Sequence, residues 1–475
     1  MQDNTSTSHQ PALQQILQMQ RDAFIAEGAP TLLQRRRDLR KLRQAVLAKK
    51  HEISQAICAD FGHRSEHETL IMEVMVLVMG IDYLYQNLRR FMRASPRKVA
   101  LAMRFGRARV EYQPLGVIGI MSPWNYPFSL ALMPLATALA AGNRAMIKPS
   151  EFTPRTSAVL QTLLAEIFTE KQVAVVQGDH NVGQAFSSLA FDHLLFTGST
   201  SVGRAVMRAA SENLVGVTLE LGGKSPVLIS KDQDLNRVAT AIAYGKLANA
   251  GQTCVAPDYV LLPEQDVDAF VKAFDHATRQ LYPQGPSSID YTSIINAQHH
   301  QRLQQLLDGA KAQGAHILQV GIRPHEAEQR INTIAPTLVL EADEQMQIMQ
   351  DEIFGPILPI KRYAHIDEAI AYINRKPRPL ALYYFGHDKQ EKSKVLSQTT
   401  SGNVTVNGTL THYAQEDLPF GGVGSSGLGA YHGIEGFRRL SHAKGIFEQG
   451  RWHTASLLRA PFGRIADIIL KVFLK

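Results

Sequence analysis

One of the two cysteines in this 475-residue chain lies at a position that suits a nucleophile. Cys254, in GQTCVAPDY, follows DLNRVATAIAYGKLANAG, whose apolar spacing predicts a buried helix that ends at Gly251. Its thiol therefore lies in a loop, where it can face a cleft. A lone cysteine is more often an inert core residue. We interpret Cys58 in this way, because it lies on the apolar face of its predicted helix.

A nucleophilic thiol needs partners, because at its ordinary pKa of about 8.5 it is mostly protonated at neutral pH. Glu220, in VTLELGGKSP, is a carboxylate at a strand end, before two glycines that allow a ligand close to the backbone; the alternative is a strand-edge glutamate. Asn125, in SPWNYPF, can donate amide N–H groups to an oxyanion from a turn held by Pro123 and Pro127, or it can simply cap that turn.

Two strand-to-helix turns could bind a nucleotide. Lys148 ends the apolar run RAMIK, and in HLLFTGSTSVG a second strand ends at Gly198 before a helix that begins near Ser199 or Thr200. The spacing from Gly198 to Gly203 is not G-x-G-x-x-G, so a surface lysine and a simple glycine turn are the alternatives. In adjacent units of one parallel sheet, the two turns predict a dinucleotide across both.

The elements that position these residues are predicted from apolar periodicity. The first hundred residues indicate helices, with Leu39, Leu42, Val46 and Ile53 on one face. Between residues 117 and 230 the runs VIGI, AMIK, HLLFTG, VGVTLEL and PVLIS alternate with helices, which is typical of a parallel sheet. A second α/β region follows over about 234–398, so a chain of this length is expected to divide into two or three lobes.

Composition excludes several other classes. The 50 basic and 43 acidic residues leave a net charge of +7, but the basic residues are scattered and the densest cluster reads as a solvated helix face, so no nucleic acid is expected. Two cysteines cannot form a disulfide framework, and no ligand spacing predicts a metal. The N-terminus lacks the pattern of a secretory signal, and the longest apolar stretch falls short of the ~18 residues that span a membrane. We therefore expect a cytoplasmic protein.

Seven segments, in order, resemble the NAD(P)-dependent aldehyde dehydrogenase superfamily over about residues 20–447: PWNYPF, KPSE, FTGSTSVG, LELGGKSP, GQTCVAPDY, EIFGPILP and PFGGVGSSGLGAYHG. GQTCVAPDYVL is similar to the class 3 branch, within which the bacterial coniferyl-aldehyde-like group is favoured. The resemblance implies an α/β fold with a Rossmann-like cofactor domain, an α/β catalytic domain and a small β oligomerisation arm. It also implies a homodimer.

The resemblance divides the chain into four parts. Residues 1–220 would bind NAD(P), interrupted near 98–116 by part of the arm, and 221–400 would form the catalytic domain. Residues 401–447 would form the rest of the arm and the substrate funnel. Residues 448–475 depart from the family pattern and form an amphipathic tail, in which the stretch LLRAPFGRIADIILKVFLK carries four basic residues. We expect this tail to pack on its own protein or on a dimer partner, with membrane-surface docking as the less favoured alternative.

The implied reaction is oxidation of a hydrophobic or aromatic aldehyde to the carboxylic acid. Cys254 would add to the aldehyde carbon, Asn125 would hold the oxyanion, and Glu220 would activate the water that hydrolyses the thioester. NAD or NADP would accept the hydride, with NAD favoured. The residues implied to contact that cofactor are Trp124, Lys148, Glu151, Gly198, Ser199, Gly203, Leu221, Glu352 and Phe354.

Three other functions remain open from the sequence. A CoA-acylating or phosphorylating relative would pass the thioester to another acceptor, but Glu220 favours hydrolysis. A thiol esterase would leave the two strand-to-helix turns without a role, and a non-catalytic relative would have little reason to keep Cys254, Glu220 and Asn125. The aldehyde itself is undetermined, although tyrosines at 126, 383, 384 and 413 could line an aromatic site.

Overall fold

The computed structural model describes residues 10–474 except 101, 102, 104, 324–329 and 452–458. The α-helices of these residues are α1 Gln10–Glu27, α2 Leu32–Ala48, α3 Lys50–Phe61, α4 Glu66–Thr69, α5 Val76–Phe91, α6 Ser129–Ala141, α7 Pro154–Ile167, α8 His180–Ser187, α9 Thr200–Ser211, α10 Leu235–Leu247, α11 Val267–Leu281, α12 Ala297–Ala312, α13 Gln347–Gln350, α14 Ile366–Arg375, α15 Lys389–Gln398, α16 Gly433–Arg439 and α17 Arg464–Phe473. The strands are β1 Ser95–Arg97, β2 Arg107–Pro114, β3 Val117–Met121, β4 Arg144–Lys148, β5 Val173–Val175, β6 His193–Gly198, β7 Gly216–Leu221, β8 Pro226–Ile229, β9 Tyr259–Pro263, β10 His316–Gln319, β11 Thr337–Leu340, β12 Ile357–Tyr363, β13 Ala381–Phe385, β14 Asn403–Val406, β15 Gly427–Leu428 and β16 Ser441–Glu448.

The first sheet has six strands in the order β15-β7-β6-β3-β4-β5 and is parallel except for β15. Its central strand β3 is buried at every position, which matches its continuous apolar sequence. The predicted strand ends at Lys148 and Gly198 are confirmed. The expectation that their units are adjacent is wrong, because β3 lies between β4 and β6.

The second sheet has seven strands in the order β10-β11-β12-β9-β8-β13-β14. The run PVLIS, grouped from sequence with the first sheet, instead forms β8 here, between β9 and β13. Both large sheets carry helices, so the predicted α/β fold class is confirmed. The chain crosses from one sheet to the other between Leu221 and Pro226, through Gly222 and Gly223.

The third sheet is small, with the order β1-β2-β16, and β2 pairs with β16 along eight residues. The strand predicted near residue 110 lies in it as expected. The segment 401–447, expected to form the rest of the arm and the funnel, is instead divided among the sheets: β14 lies at an edge of the seven-stranded sheet, β15 pairs with β7, and β16 completes the small sheet. Short strands carry little information about their partner, so the sequence did not reveal this division.

Helices α2, α3 and α5 pack on α6 or α7, which cover the six-stranded sheet, whereas α1 contacts β3 and β4 of that sheet directly. The predicted stripe of Leu39, Leu42, Val46 and Ile53 is fully buried. The helix predicted over MEVMVLVMGIDYLYQNLRRFM is interrupted, because Leu70–Met75 adopt π-helical geometry before α5 begins. Such π-helical insertions are rare and concentrate at functional sites.

The C-terminal tail lies on the surface. In α17 only Ala466 is buried, whereas Ile468 and Val472 are 61% and 67% exposed. The expectation that this face packs on its own protein is therefore wrong for the described part of the chain; Leu457 and Leu458, assigned to the same face, lie outside it. No described helix combines the length and the apolar character needed to cross a membrane.

Candidate active site

A cavity of about 170 Å³ opens beside the Cys254 side chain. Its walls come from the π-helical segment, the start of α6, the Cys254 loop and residues 409–414. Most of the lining is apolar; the residues that set this character are Ile71, Met72, Met75, Val76, Leu130 and Leu410. The cavity therefore suits an apolar molecule whose reactive group lies at the thiol.

The loop that carries Cys254 follows a tight, strained turn. Helix α10 ends at Leu247, four residues before the predicted terminator, and Ala248–Gly251 form a 3₁₀ turn. Asn249 and Ala250 have positive φ angles of 52° and 50°, which non-glycine residues adopt only where the surroundings hold them. Gly251 has a φ of 74°, and a Cβ there would lie 2.3 Å from the carbonyl oxygen of Gly355.

Hydrogen bonds hold this loop on both sides of the cysteine. The Asn125 Nδ2 group donates to the Gln252 carbonyl at 3.1 Å, and the Tyr126 hydroxyl lies 2.7 Å from Thr253 Oγ1. On the far side the Tyr383 hydroxyl donates to the Val255 carbonyl. An amide Nδ2 group carries two hydrogens, so Asn125 keeps a second hydrogen for another acceptor. Three side chains therefore hold the loop on both sides of Cys254.

Glu220 lies at the second-last position of β7, with Thr197 of β6 and Gly427 of β15 as its neighbours. Its side chain is 3% exposed, and neither carboxylate oxygen has a hydrogen-bond partner among the described residues. Burial therefore raises the pKa of Glu220 well above its ordinary value. A buried polar group without partners is uncommon and indicates a missing water or ligand.

The Cys254 thiol is also held in its neutral form. Although Cys254 keeps some solvent exposure, the loss of water around its thiol raises its pKa, and the Glu352 and Glu220 carboxylates raise it further in the same direction, to about 12. Both carboxylates therefore contribute to the electrostatic environment of the sulfur. Cys58 is likewise only partly buried rather than sealed in the core, but it does not line the cavity.

These pKa shifts predict how the protein reacts with alkylating agents. Only a thiolate is alkylated quickly, and well below the pKa the thiolate fraction rises about tenfold per pH unit. Because the pKa of Cys254 is raised, we expect iodoacetamide to alkylate it steadily faster from about pH 6 to about pH 9. The measurement is mass spectrometry of a Cys58→Ala variant, in which Cys254 is the remaining thiol. A rate that is already at its plateau at pH 6 would contradict the raised pKa.

Glu352 packs against the glycine pair that follows β7. A Cβ at Gly222 would lie 2.2 Å from the Glu352 carboxylate, so a larger residue there would have to displace that carboxylate. Burial and the Asp258 carboxylate raise the pKa of Glu352 to about 8, partly offset by a hydrogen bond from the Gly223 N–H and by nearby cations. This carboxylate can therefore gain or lose a proton near neutral pH.

Trp124 and Phe354 form an aromatic cluster next to this region. Their ring centroids are 5.4 Å apart in an edge-to-face arrangement, and Trp124 also lies 4.9 Å from the His299 ring. Phe354 has a positive φ of 53°, which costs free energy and is often found at binding sites. The sequence interpretation of Phe354 as a cofactor contact is compatible with this placement.

The remaining predicted cofactor residues lie at the carboxyl edge of the six-stranded sheet. Lys148 is buried, and its Nζ lies 2.8 Å from Glu151 Oε2. Ser199 caps α9 by accepting a hydrogen bond from Val202 N–H, directly after Gly198. A Cβ at Gly203 would lie 2.7 Å from the Leu221 side chain, so these two residues form one packing contact between α9 and β7.

Buried polar atoms at this edge fit a nucleotide cofactor. Ser122, directly after β3, and Thr197 of β6 each have a buried hydroxyl without a partner among the described residues. With the Glu220 oxygens they surround the carboxyl ends of β3, β6 and β7, where open α/β sheets bind their ligands. The edge therefore offers donors, acceptors and the start of α9 to a ligand with phosphates and hydroxyls.

Some cavity residues were not expected from the sequence. Of the four tyrosines suggested by the sequence, Tyr126 and Tyr413 line the cavity. Tyr383 and Tyr384 do not, because both are fully buried, and the Tyr384 hydroxyl donates to Glu391. Tyr244 of α10 and the methionines of the π-helical segment were missed. In the sequence these residues belong to apolar helical segments, and such segments predict packing in the core rather than a cavity wall.

The fold and this arrangement of thiol, carboxylates and amide define an oxidoreductase that acts on aldehydes. The aldehyde dehydrogenase family model matches residues 4–446, so the chain belongs to that family. It is an NAD(P)-dependent aldehyde dehydrogenase, which oxidises an aldehyde to the carboxylic acid.

Individual members of the family are similar to this chain over nearly its whole length. The chain is 47% identical to a probable coniferyl aldehyde dehydrogenase of Pseudomonas aeruginosa, over 98% of this chain and 96% of that one. It is 40% identical to mouse aldehyde dehydrogenase family 3 member A2, over 94% and 90% of the two chains. Among solved structures, the substrate-bound state of Staphylococcus aureus AldH superposes with a TM-score of 0.91 at 36% identity, covering 98% and 99%. The expected class 3 resemblance is confirmed.

Proposed function

We propose that this enzyme oxidises an apolar aromatic aldehyde of the coniferyl aldehyde class, with NAD as the preferred oxidant. The observation that carries this proposal is the apolar cavity of about 170 Å³ at the Cys254 thiol. A cavity of this kind favours a hydrophobic substrate over a small polar aldehyde. The name of the Pseudomonas aeruginosa relative supports the same class.

In the proposed mechanism the Cys254 thiol gives up its proton to a water in the cavity, and the resulting thiolate adds to the aldehyde carbon; the positive charge of a bound nicotinamide would lower the raised pKa of the thiol. The Asn125 amide and the Cys254 backbone N–H donate to the oxyanion that forms, which stabilises charge that is absent from the free aldehyde. Bound NAD would accept the hydride, which converts the thiohemiacetal on Cys254 to a thioester. The strained Asn249–Gly251 turn and the hydrogen bonds to residues 252, 253 and 255 hold the sulfur in place for both steps.

Glu220 is the proposed base for hydrolysis. Its carboxyl is buried without a hydrogen-bond partner among the described residues and contributes to the raised pKa of Cys254, which supports a role in activating a water against the thioester. Its raised pKa makes the carboxylate a stronger base once the proton has left. Hydrolysis distinguishes this enzyme from CoA-acylating or phosphorylating relatives, in which another acceptor takes the acyl group.

The cofactor contacts are proposed residue by residue. Lys148 and Glu151 would bind the adenosine ribose, Gly198 and Ser199 the pyrophosphate, and Glu352 the ribose on the nicotinamide side. The residues that would pack around the cofactor are Trp124, Gly203, Leu221 and Phe354. The Glu151 carboxylate beside Lys148 would repel a 2′-phosphate, which is why NAD is favoured over NADP.

The proposed substrate and cofactor are tested together by one panel of reactions. Aliphatic and aromatic aldehydes of graded length are assayed with NAD and with NADP by absorbance of the reduced nicotinamide. We expect kcat/KM to be highest for cinnamaldehyde-type substrates, lower for acetaldehyde, and higher with NAD than with NADP. Equal kcat/KM for acetaldehyde and the aromatic aldehydes would contradict the substrate class.

The role of Asn125 predicts a large effect on turnover. Asn125→Ala removes one donor to the oxyanion, and we expect kcat to fall by about 10²–10³. The KM for NAD should change little, because Asn125 contacts the Cys254 loop rather than the sheet edge. Steady-state kinetics of the purified variant measure both constants. A change in aldehyde KM alone would assign Asn125 to substrate binding instead.

We also propose that the enzyme is a homodimer that works in the cytoplasm. Strand β16 lies at the edge of the small sheet, so its outer backbone groups can pair with a second copy. The exposed apolar face of α17 would pack on the partner subunit. The free thiols of Cys58 and Cys254 suit a reducing compartment.

The tail assignment is tested by deleting residues 456–475. If α17 packs on the partner, the full chain should not float with anionic phosphatidylglycerol vesicles, and the deletion should weaken dimerisation in analytical ultracentrifugation. Flotation of the full chain that is lost on deletion would instead assign α17 to a membrane surface.

A further inference from the structure

Behind the Asn125 loop lies an ion pair that is sealed from solvent. Arg64 Nη1 is 3.1 Å from Glu73 Oε1, and both side chains have no exposed surface. Buried ion pairs carry a large desolvation cost and contribute little net stability, so their presence calls for another explanation. Neither residue lines the cavity beside Cys254.

Arg64 and Glu73 hold the two ends of the segment that carries Asn125. Arg64 Nη1 donates to the Asn125 carbonyl oxygen at 3.1 Å. Glu73 Oε2 accepts from the backbone N–H groups of Phe128 and Ser129, each at 2.9 Å. The pair therefore bridges the backbone of Asn125 and the first turn of α6.

Two further contacts restrict the same segment. The Asn125 carbonyl also accepts a hydrogen bond from Asn249 Nδ2 at 2.9 Å, so it receives donors from two directions. The Arg64 guanidinium lies 4.8 Å from the Tyr126 ring centroid, in a cation–π arrangement. Since Tyr126 contacts Thr253, the Arg64 side chain supports the residues on both sides of the peptide that presents the Asn125 amide.

Glu73 belongs to the π-helical segment Leu70–Met75. Ile71, Met72 and Met75 of this segment line the cavity, whereas Glu73 is buried behind it. One short segment therefore forms a wall of the substrate cavity and anchors the loop of the oxyanion donor. This gives a physical role to an otherwise unfavourable helix geometry.

We propose that Arg64 and Glu73 are positioning residues, which orient the Asn125 amide toward the oxyanion through the Asn125 backbone. The inference rests on the proposed role of Asn125. An amide that is displaced by about 1 Å no longer stabilises the transition state fully, although substrate and cofactor still bind. The pair therefore acts on kcat through Asn125 and not by contact with the substrate.

A double-mutant cycle separates positioning from general stability. The neutral variant carries Arg64→Met with Glu73→Gln, which removes both charges together and keeps an acceptor for the α6 amides. With Asn125 present, we expect kcat to fall by about 10- to 100-fold at unchanged KM for NAD. In the Asn125→Ala background the same change should cost less than about threefold, because the group that the pair positions is absent.

The outcomes of the cycle distinguish the inference from the proposed function. An equal loss of kcat in both backgrounds overturns the positioning role while Asn125 keeps its own. If Asn125→Ala alone leaves kcat unchanged, the proposed oxyanion role fails before the pair is considered. If the neutral variant does not fold, Arg64→Lys replaces it. The lysine ammonium ends one bond short of Nη1, the nitrogen that contacts both Glu73 and the Asn125 carbonyl, so we expect a loss of kcat that again disappears in the Asn125→Ala background.

Arg35 provides a matched control. It is also buried, and it donates to the Ala140 carbonyl at the opposite end of α6. Arg35→Met should lower the melting temperature as a buried arginine variant does, but leave kcat within about twofold. A similar fall in kcat for Arg35→Met would show that any loosening of α6 is sufficient, and would overturn the specific role of Arg64 and Glu73.

Discussion

Cys254→Ala is expected to abolish aldehyde oxidation, with kcat reduced by about 10⁴-fold or more. The alanine side chain cannot form the covalent bond through which the hydride is released, and no other thiol lines the cavity. NAD binding should be retained, because the predicted cofactor residues lie on the six-stranded sheet and at Glu352–Phe354. Activity is measured as nicotinamide absorbance at 340 nm and binding by calorimetry with NAD.

The second cysteine supplies the control for this experiment. Cys58 lies in α3 and does not line the cavity, so Cys58→Ala should keep full turnover. Substantial turnover in Cys254→Ala would remove Cys254 as the nucleophile. Loss of NAD binding together with activity would instead indicate that the substitution disturbs the fold.

Glu220→Gln is expected to stop the enzyme after one turnover. If Glu220 activates the hydrolytic water, the acyl group stays on Cys254 and steady-state kcat falls by about 10²–10⁴. Mixing enzyme, NAD and aldehyde in a stopped-flow instrument should show a burst of reduced nicotinamide that matches the enzyme concentration. Mass spectrometry of the quenched protein should then find the acyl group on the peptide that contains Cys254.

Glu352→Gln distinguishes the two carboxylates that act on the thiol. Because Glu352 is proposed to hold the cofactor ribose, this variant should slow the hydride step and show no burst. A burst with Glu352→Gln and none with Glu220→Gln would exchange their roles.

Glu220→Gln should raise the stability of the folded protein at neutral and alkaline pH, although it lowers kcat. The pKa of Glu220 is raised in the folded protein, so its favourable contribution is present at acid pH and is lost as pH rises through the folded pKa. Glutamine carries no charge at any pH. The melting temperature of Glu220→Gln should therefore match that of the parent near pH 4 and exceed it increasingly toward pH 9, which differential scanning fluorimetry can follow.

The candidate site residues could be predicted from the amino-acid sequence. Cys254, Glu220 and Asn125 were recognisable because each lies in a short segment with strong local constraints: prolines around Asn125, two glycines after Glu220, and a helix end before Cys254. The strand ends at Lys148 and Gly198 were predicted for the same reason. Local backbone preferences and apolar periodicity extend over a few residues, so a single segment contains the information for each of these features.

The contacts between distant segments could not be predicted from the sequence and were found in the folded chain. It divided residues 401–447 among three sheets, left the apolar face of α17 exposed, and placed Ile71 and Met72 at the cavity through a π-helical segment. It also brought Arg64 and Glu73 together in the interior, although charged residues in a helical pattern ordinarily face water. These outcomes depend on packing and charge pairing between segments far apart in the chain, and the free energy of such contacts is not encoded in the periodicity of either segment alone.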